Sequence, residues 1–205
     1  MKMTRKEAEE LLAWGHEQNP GPWADHCRTA GRAAETIAKK CGLDADRAYV
    51  SGLLHDIGVY DYRDFKRRKA DHIFMGYELM TDKGHEDIAR ICLSHSFTLQ
   101  DIKTLASSYI ECNDEDLALI TAFLNDSVYD DYDKLIQLCD SLSMAHGVVL
   151  MEKRMMDVVR RKGFGDMTVP KWEAIFGVKD YFDKLCGADI YSLFHDEIQA
   201  DIFGD

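Results

Sequence analysis

Apolar residues recur every three to four positions along almost the whole chain, the spacing that puts them on one face of a helix. Thr4 and Glu7 form a capping box ahead of a helix carrying Leu11, Leu12 and Trp14. Pro22 can open a second helix, in which Trp23, Cys27, Ala30, Ala34, Ile37, Ala38 and Cys41 keep helical spacing until Gly42 stops it. Asp44 caps a third, which runs through "RAYVSGLLHD" and ends near Gly58. The same periodicity predicts helices over 72–83, 86–95, 102–109, 114–124, 132–145 and 148–162. From Thr168 onward it predicts two or three short helices around "VPKWEAIF" and "VKDYFDKLC". No segment alternates with period two between hairpin turns, so no sheet is expected. The softest boundary is "RRKGFGDMT" at 160–168, with its two glycines. The expected fold class is all-α: a helical bundle over 1–160 and a C-terminal helical extension over 161–205, packed on the same core.

Composition narrows this picture. The chain has 205 residues, 46% of them hydrophobic and 30% charged, which suits one well-buried core. No apolar run approaches the length of a membrane span. The start, "MKMTRKEAEELLAW", lacks the apolar centre of a signal peptide, so a cytoplasmic location is expected. Six cysteines, Cys27, Cys41, Cys92, Cys112, Cys139 and Cys186, are scattered without a C-x-x-C pair. They are expected to be reduced thiols packed as small hydrophobes rather than a disulfide framework or a zinc knot. A net charge of −12 argues against a nucleic acid polymer as partner, since that needs a basic footprint. Small phosphorylated molecules stay open, because a local cationic patch or a metal reverses the field inside a cleft. Arg63, Lys66, Arg67, Arg68 and Lys69 in "YRDFKRRKADH" are such a patch, or else a solvated face.

Ligand-type side chains keep interrupting the apolar helical segments. His26 lies in "WADHCRTAGRAA", His55 and Asp56 end "SGLLHDIG", His72 opens "DHIFMGYELM", His95 ends "IARICLSHS", and Asp140 breaks "LIQLCDSLSM". A buried imidazole or carboxylate is costly unless it is paired or bound to a metal. Asp140 states the case most sharply, with "KLIQLC" before it and "LSM" after it. Mixed imidazole and carboxylate donors suit iron, manganese, zinc or nickel, whereas magnesium prefers an all-oxygen shell. The dipeptide alone carries little, since "SLFHDEIQ" repeats it at His195 and Asp196 with no partners following.

The order His26, then His55-Asp56 inside "LLHDIG", then a late Asp140 resembles the HD-domain superfamily of metal-dependent phosphohydrolases over roughly residues 20–150. That resemblance implies an HD-domain helical bundle whose core residues converge on a metal site. By position it makes His26, His55, Asp56 and Asp140 the basic metal set. His72 and His95 match the additional histidines of the binuclear branch, with Asp56 as the bridging carboxylate and His55 and Asp56 the catalytic pair. It implies a divalent transition metal, two ions in the binuclear branch, with iron or manganese ahead of zinc or nickel. The activity implied is hydrolysis of a nucleotide or other small phosphate ester, with the cations at 63–69 holding phosphate oxygens. Asp61, Asp64 and Glu78 are further candidates near the site. Two other classes fit the same ligands, an HD-fold di-iron oxygenase and a non-catalytic metal-containing ligand sensor. The "GYP" signature of cyclic-dinucleotide phosphodiesterases is missing; "MGYELM" echoes it only in part.

Overall fold

The structure, a computed structural model, describes residues 3–61, 71–106 and 113–204. Helix α1 (Arg5–Gln18) starts at the capping box: the Thr4 hydroxyl accepts from the Glu7 N–H at 3.3 Å, and the Glu7 carboxylate accepts from the Thr4 N–H at 2.8 Å. Helix α2 (Trp23–Cys41) ends at Gly42, and Asp44 caps α3 (Ala45–Leu54) by accepting from the Arg47 N–H at 3.0 Å. A 3₁₀ helix (Ile57–Asp61) follows, then α4 (His72–Asp82), α5 (Glu86–Ser94), α6 (Lys103–Ala106), α7 (Asp114–Asp126) and α8 (Asp131–Leu142).

Two expectations change after α8. Ser143 turns extended at the helix end, and a two-residue antiparallel ladder forms between β1 (Ser143–Met144) and β2 (Gly147–Val148). It takes the place of the last turn of one expected helix and the start of the next. After α9 (Met151–Lys162), the expected short helices are one 19-residue helix, α10 (Thr168–Cys186). Pro170 sits in its first turn, where no intrahelical N–H bond is lost. A 3₁₀ helix (Ile190–Phe194) and α11 (His195–Phe203) close the described chain.

Helix α2 is the axis of the packing. Ala24 and Cys27 pack with Leu12, Leu53, Leu54 and Met80. Further along, Ala33, Ala34 and Ile37 pack with Leu135 and Leu138 of α8, Met151 of α9, Phe182 of α10 and Ile198 of α11. The small residues of α2 let α3 cross it almost backbone to backbone: a Cβ on Gly52 would lie 2.8 Å from the Ala30 carbonyl oxygen. A third cluster, with Ile73, Phe74, Leu93, Phe97 and Ile120, joins α4, α5 and α7.

Cys41 and Cys186 form a disulfide, which corrects the expectation of reduced thiols throughout. The C-terminal ends of α2 and α10 meet there, with a Cα–Cα distance of 4.5 Å, inside the reach of the bond. Cys27, Cys92 and Cys139 are free and buried. Among the described residues no helix is long and apolar enough to cross a membrane.

Candidate metal centre

The six ligand-type residues all come from helix ends. His26 lies in the first turn of α2 and His72 is the first residue of α4; His55 and Asp56 directly follow α3, His95 follows α5, and Asp140 lies in the last turn of α8. Helix ends matter because the carbonyls of the last turn can accept from side chains, as that of Ile91 does in addition to the His95 N–H at 3.1 Å. His55 Nδ1 donates to the Gly52 carbonyl at 2.7 Å, and His95 Nδ1 donates to the Ile91 carbonyl at 3.2 Å. His26 Nδ1 donates to the carbonyl of Ser143, just past α8, at 3.1 Å. A carbonyl only accepts, so each of these rings carries a proton on Nδ1 and turns Nε2 toward the cluster, where a neutral ring offers its lone pair. The fourth ring, His72, sets its Nδ1 against the Asp71 carboxylate.

The four Nε2 atoms and two carboxylates then converge. His26 Nε2 is 3.0 Å from Asp140 Oδ1, and His55 Nε2 is 3.9 Å from that oxygen and 3.6 Å from Asp56 Oδ2. The other Asp56 oxygen, Oδ1, is 3.0 Å from His72 Nε2 and 3.2 Å from His95 Nε2, and these two nitrogens are 3.3 Å apart. Asp56 therefore belongs to two groups, His26–His55–Asp56 and Asp56–His72–His95, each with its donor atoms within 4.8 Å of one another. Close approach at Gly58 makes the second group possible. A Cβ there would lie 1.9 Å from the His72 carbonyl oxygen and 2.4 Å from the Gly76 nitrogen, so only glycine lets the chain after Asp56 lie on the start of α4.

The electrostatics fit a cation. Burial pulls the His26 imidazole down, but Asp140, 3.0 Å from its Nε2, carries it above its ordinary value. The buried His55 Nε2 has no hydrogen-bond partner and faces two carboxylates, a grouping that calls for positive charge. Burial pushes the His55 imidazole down to about 4, which keeps it neutral and ready as a ligand. Burial pushes Asp56 upward, but His55, His72 and His95 outweigh it and hold the carboxyl well below its usual range. Burial is likewise overcome at Asp140, which His26, His55 and Arg154 hold low. The His72 imidazole is pulled down by burial and carried well above its ordinary value by Asp71 and Asp56.

His55 is fully buried, whereas the side chains of His72 and Asp140 are each 29% exposed. They open on a cavity of about 310 Å³ floored by Asp56, His72, His95 and Asp140. Arg154 and Arg161 of α9, Lys162, and Lys171 and Trp172 of α10 line its other side. The Arg154 guanidinium reaches within 3.6 Å of Asp140 Oδ1. Sequence reasoning missed Arg154, Lys171 and Asp71. The first two sit in stretches that read simply as helices, 148–162 and the core "VPKWEAIF"; the adjacency of Asp71 to His72 was the available signal for the third. Arg63, Lys66, Arg67, Arg68 and Lys69, expected to bind substrate, lie outside the described residues, as does Asp64. Asp61 and Glu78 are not among the residues lining the cleft. His195 and Asp196 are exposed in the first turn of α11, away from the cluster.

A family model described as "HD domain" matches residues 23–145, a stretch that contains all six converging residues. No curated protein and no solved structure matches the chain.

Proposed function

The chain belongs to the HD-domain family, and from that premise we propose that it is a metal-dependent phosphohydrolase acting on a nucleotide or other small phosphate ester. The observation that carries this reading is the pair of histidine groups sharing Asp56 beneath a cleft walled by cations. His26, His55, Asp56 and Asp140 would hold one divalent ion; Asp56, His72 and His95 would hold a second. Imidazole with carboxylate suits iron or manganese first and zinc or nickel next. When bound, such ions supply Lewis acidity toward a phosphoryl oxygen and bring the acidity of water toward neutrality.

The chain's own groups do the rest. The Gly52, Ile91 and Ser143 carbonyls fix three imidazoles, and Asp71 fixes His72, an arrangement that sets ligand orientation and basicity. Arg154, beside Asp140, is placed to hold a phosphoryl oxygen and to offset the charge that develops in transfer. A cleft of about 310 Å³ suits a small molecule. An oxygenase would use the same donors and could take an anionic substrate too, so dioxygen uptake is what separates the two.

The test pairs elemental analysis of anaerobically prepared protein with a panel of nucleotides and phosphate esters, following phosphate release and dioxygen uptake together. Release that stops on chelation and returns with manganese is expected. Turnover that consumes dioxygen without releasing phosphate would overturn the reading, and so would metal-loaded protein inert toward the whole panel.

A further inference from the structure

The chain buries two lysines of α10 in different ways. Lys179 is held by Asp183 at 2.8 Å and Asp189 at 2.9 Å, the ordinary way to keep an ammonium out of water. Lys171 is also partly buried, yet no carboxylate pairs with it among the described residues. Burial alone acts on it and pushes its ammonium down. An unpaired, half-buried cation is disfavoured until an anion arrives.

Its position says where that anion would lie. Lys171 lines the cavity over the metal centre and also an adjoining one of about 350 Å³. Arg154, Lys162 and Trp172 are shared by the two as well. Arg154 is drawn to Asp140 and to Asp157, each at 3.6 Å, and Arg161 is tied to Asp157 at 2.9 Å. Among the described residues Lys171 has no such competitor, and the first turn of α10 carries no acidic residue. In a chain of net charge −12, Arg154, Arg161, Lys162 and Lys171 gather on one wall of the cleft, and such a group of cations can reverse the field locally. The two cavities together hold far more than one phosphate group.

Resting on the phosphohydrolase reading, we infer that the substrate is an organic phosphate carrying a second anionic group, which Lys171 binds while the reacting phosphate lies at the metal centre beside Arg154. Trp172 gives both cavities an apolar surface beside these cations. The second group is a phosphate or a carboxylate, since either matches an ammonium.

Calorimetric titration of manganese-loaded protein with three non-hydrolysable probes tests this: methylphosphonate, phosphonoacetate and methylenediphosphonate. Wild type is expected to bind at least one two-anion probe about 10-fold or more tighter than methylphosphonate, the scale of one hydrogen bond to a charged group. Whichever two-anion probe is preferred identifies the second group as carboxylate or phosphate. Lys171→Met should abolish the preference while leaving methylphosphonate affinity and metal content within about 3-fold, and Lys171→Arg should retain it. Equal affinity for all three probes in wild type, or a preference that survives in Lys171→Met, overturns the inference. Neither result bears on phosphate release, so the inference and the phosphohydrolase reading fail separately.

Discussion

His55 shows how much a single residue owes to its neighbours. Its ring is aimed by the Gly52 carbonyl, and Gly52 is glycine because α3 lies on the backbone of α2. Asp56, next in the chain, offers one oxygen to each histidine group. Asp56→Ala should therefore cost both ions and all activity. His72→Ala or His95→Ala should each cost about one ion, while the ion of His26, His55 and Asp140 persists. Loss of a ligating imidazole should exceed the roughly 10–100-fold effect of losing a group such as Asp71 that only orients one. Elemental analysis per chain checks this, with His195→Ala combined with Asp196→Ala as the control that leaves stoichiometry unchanged. Unaltered metal in both His72→Ala and His95→Ala would mean a single ion. At this scale the sequence is readable where burial makes polarity expensive, as at Asp140 between "KLIQLC" and "LSM". It is silent at Arg154 and Lys171, because a basic side chain on a helix reads the same locally whether it faces open solvent or a cleft.

Helices and turns set the distances between these residues. The 3₁₀ helix lies on α4 through Gly58, so Gly58→Ala forces apart the two segments that carry Asp56 and His72. Overpacking of this kind costs about 1–3 kcal/mol and occasionally more. It should lower Tm and deplete the Asp56–His72–His95 group of metal before the other group. Gly177→Ala is the contrasting variant: nothing lies within 4 Å of a Cβ there, in the interior of α10. It should stabilise by about 0.5–1 kcal/mol. Thermal unfolding with metal analysis separates the two, and a Gly58→Ala protein with wild-type Tm and metal would refute the account. Local chemistry makes elements legible where caps are present, as at Thr4, Asp44 and Gly42. It misleads at α10, where "VPKWEAIF" and "VKDYFDKLC" read as cores of separate short helices although packing of Ile175 and Phe182 on α2 carries one helix through both.

Across the whole molecule, α2 is buried between two clusters, and the C-terminal segment supplies part of one of them. Phe182 is fully buried in that cluster, so Phe182→Ala should cost about 3–5 kcal/mol. A chain ending after residue 160 should lose cooperative thermal unfolding, because it uncovers the α2 face that α10 and α11 protect. A truncated chain that melts sharply near the wild-type Tm would contradict this. Long-range pairing is what a sequence hides best: Cys41 and Cys186 are 145 residues apart, with no local signal to join them. A last consequence follows from where the cleft's two sides are encoded. All six converging side chains fall within residues 23–145, whereas Arg154, Arg161, Lys162, Lys171 and Trp172 fall after it. On the proposed reading, the groups that would react and those that would choose the molecule are therefore encoded in separate stretches of the chain. Substitutions between 154 and 172 should then change which molecule binds while metal content stays unaltered.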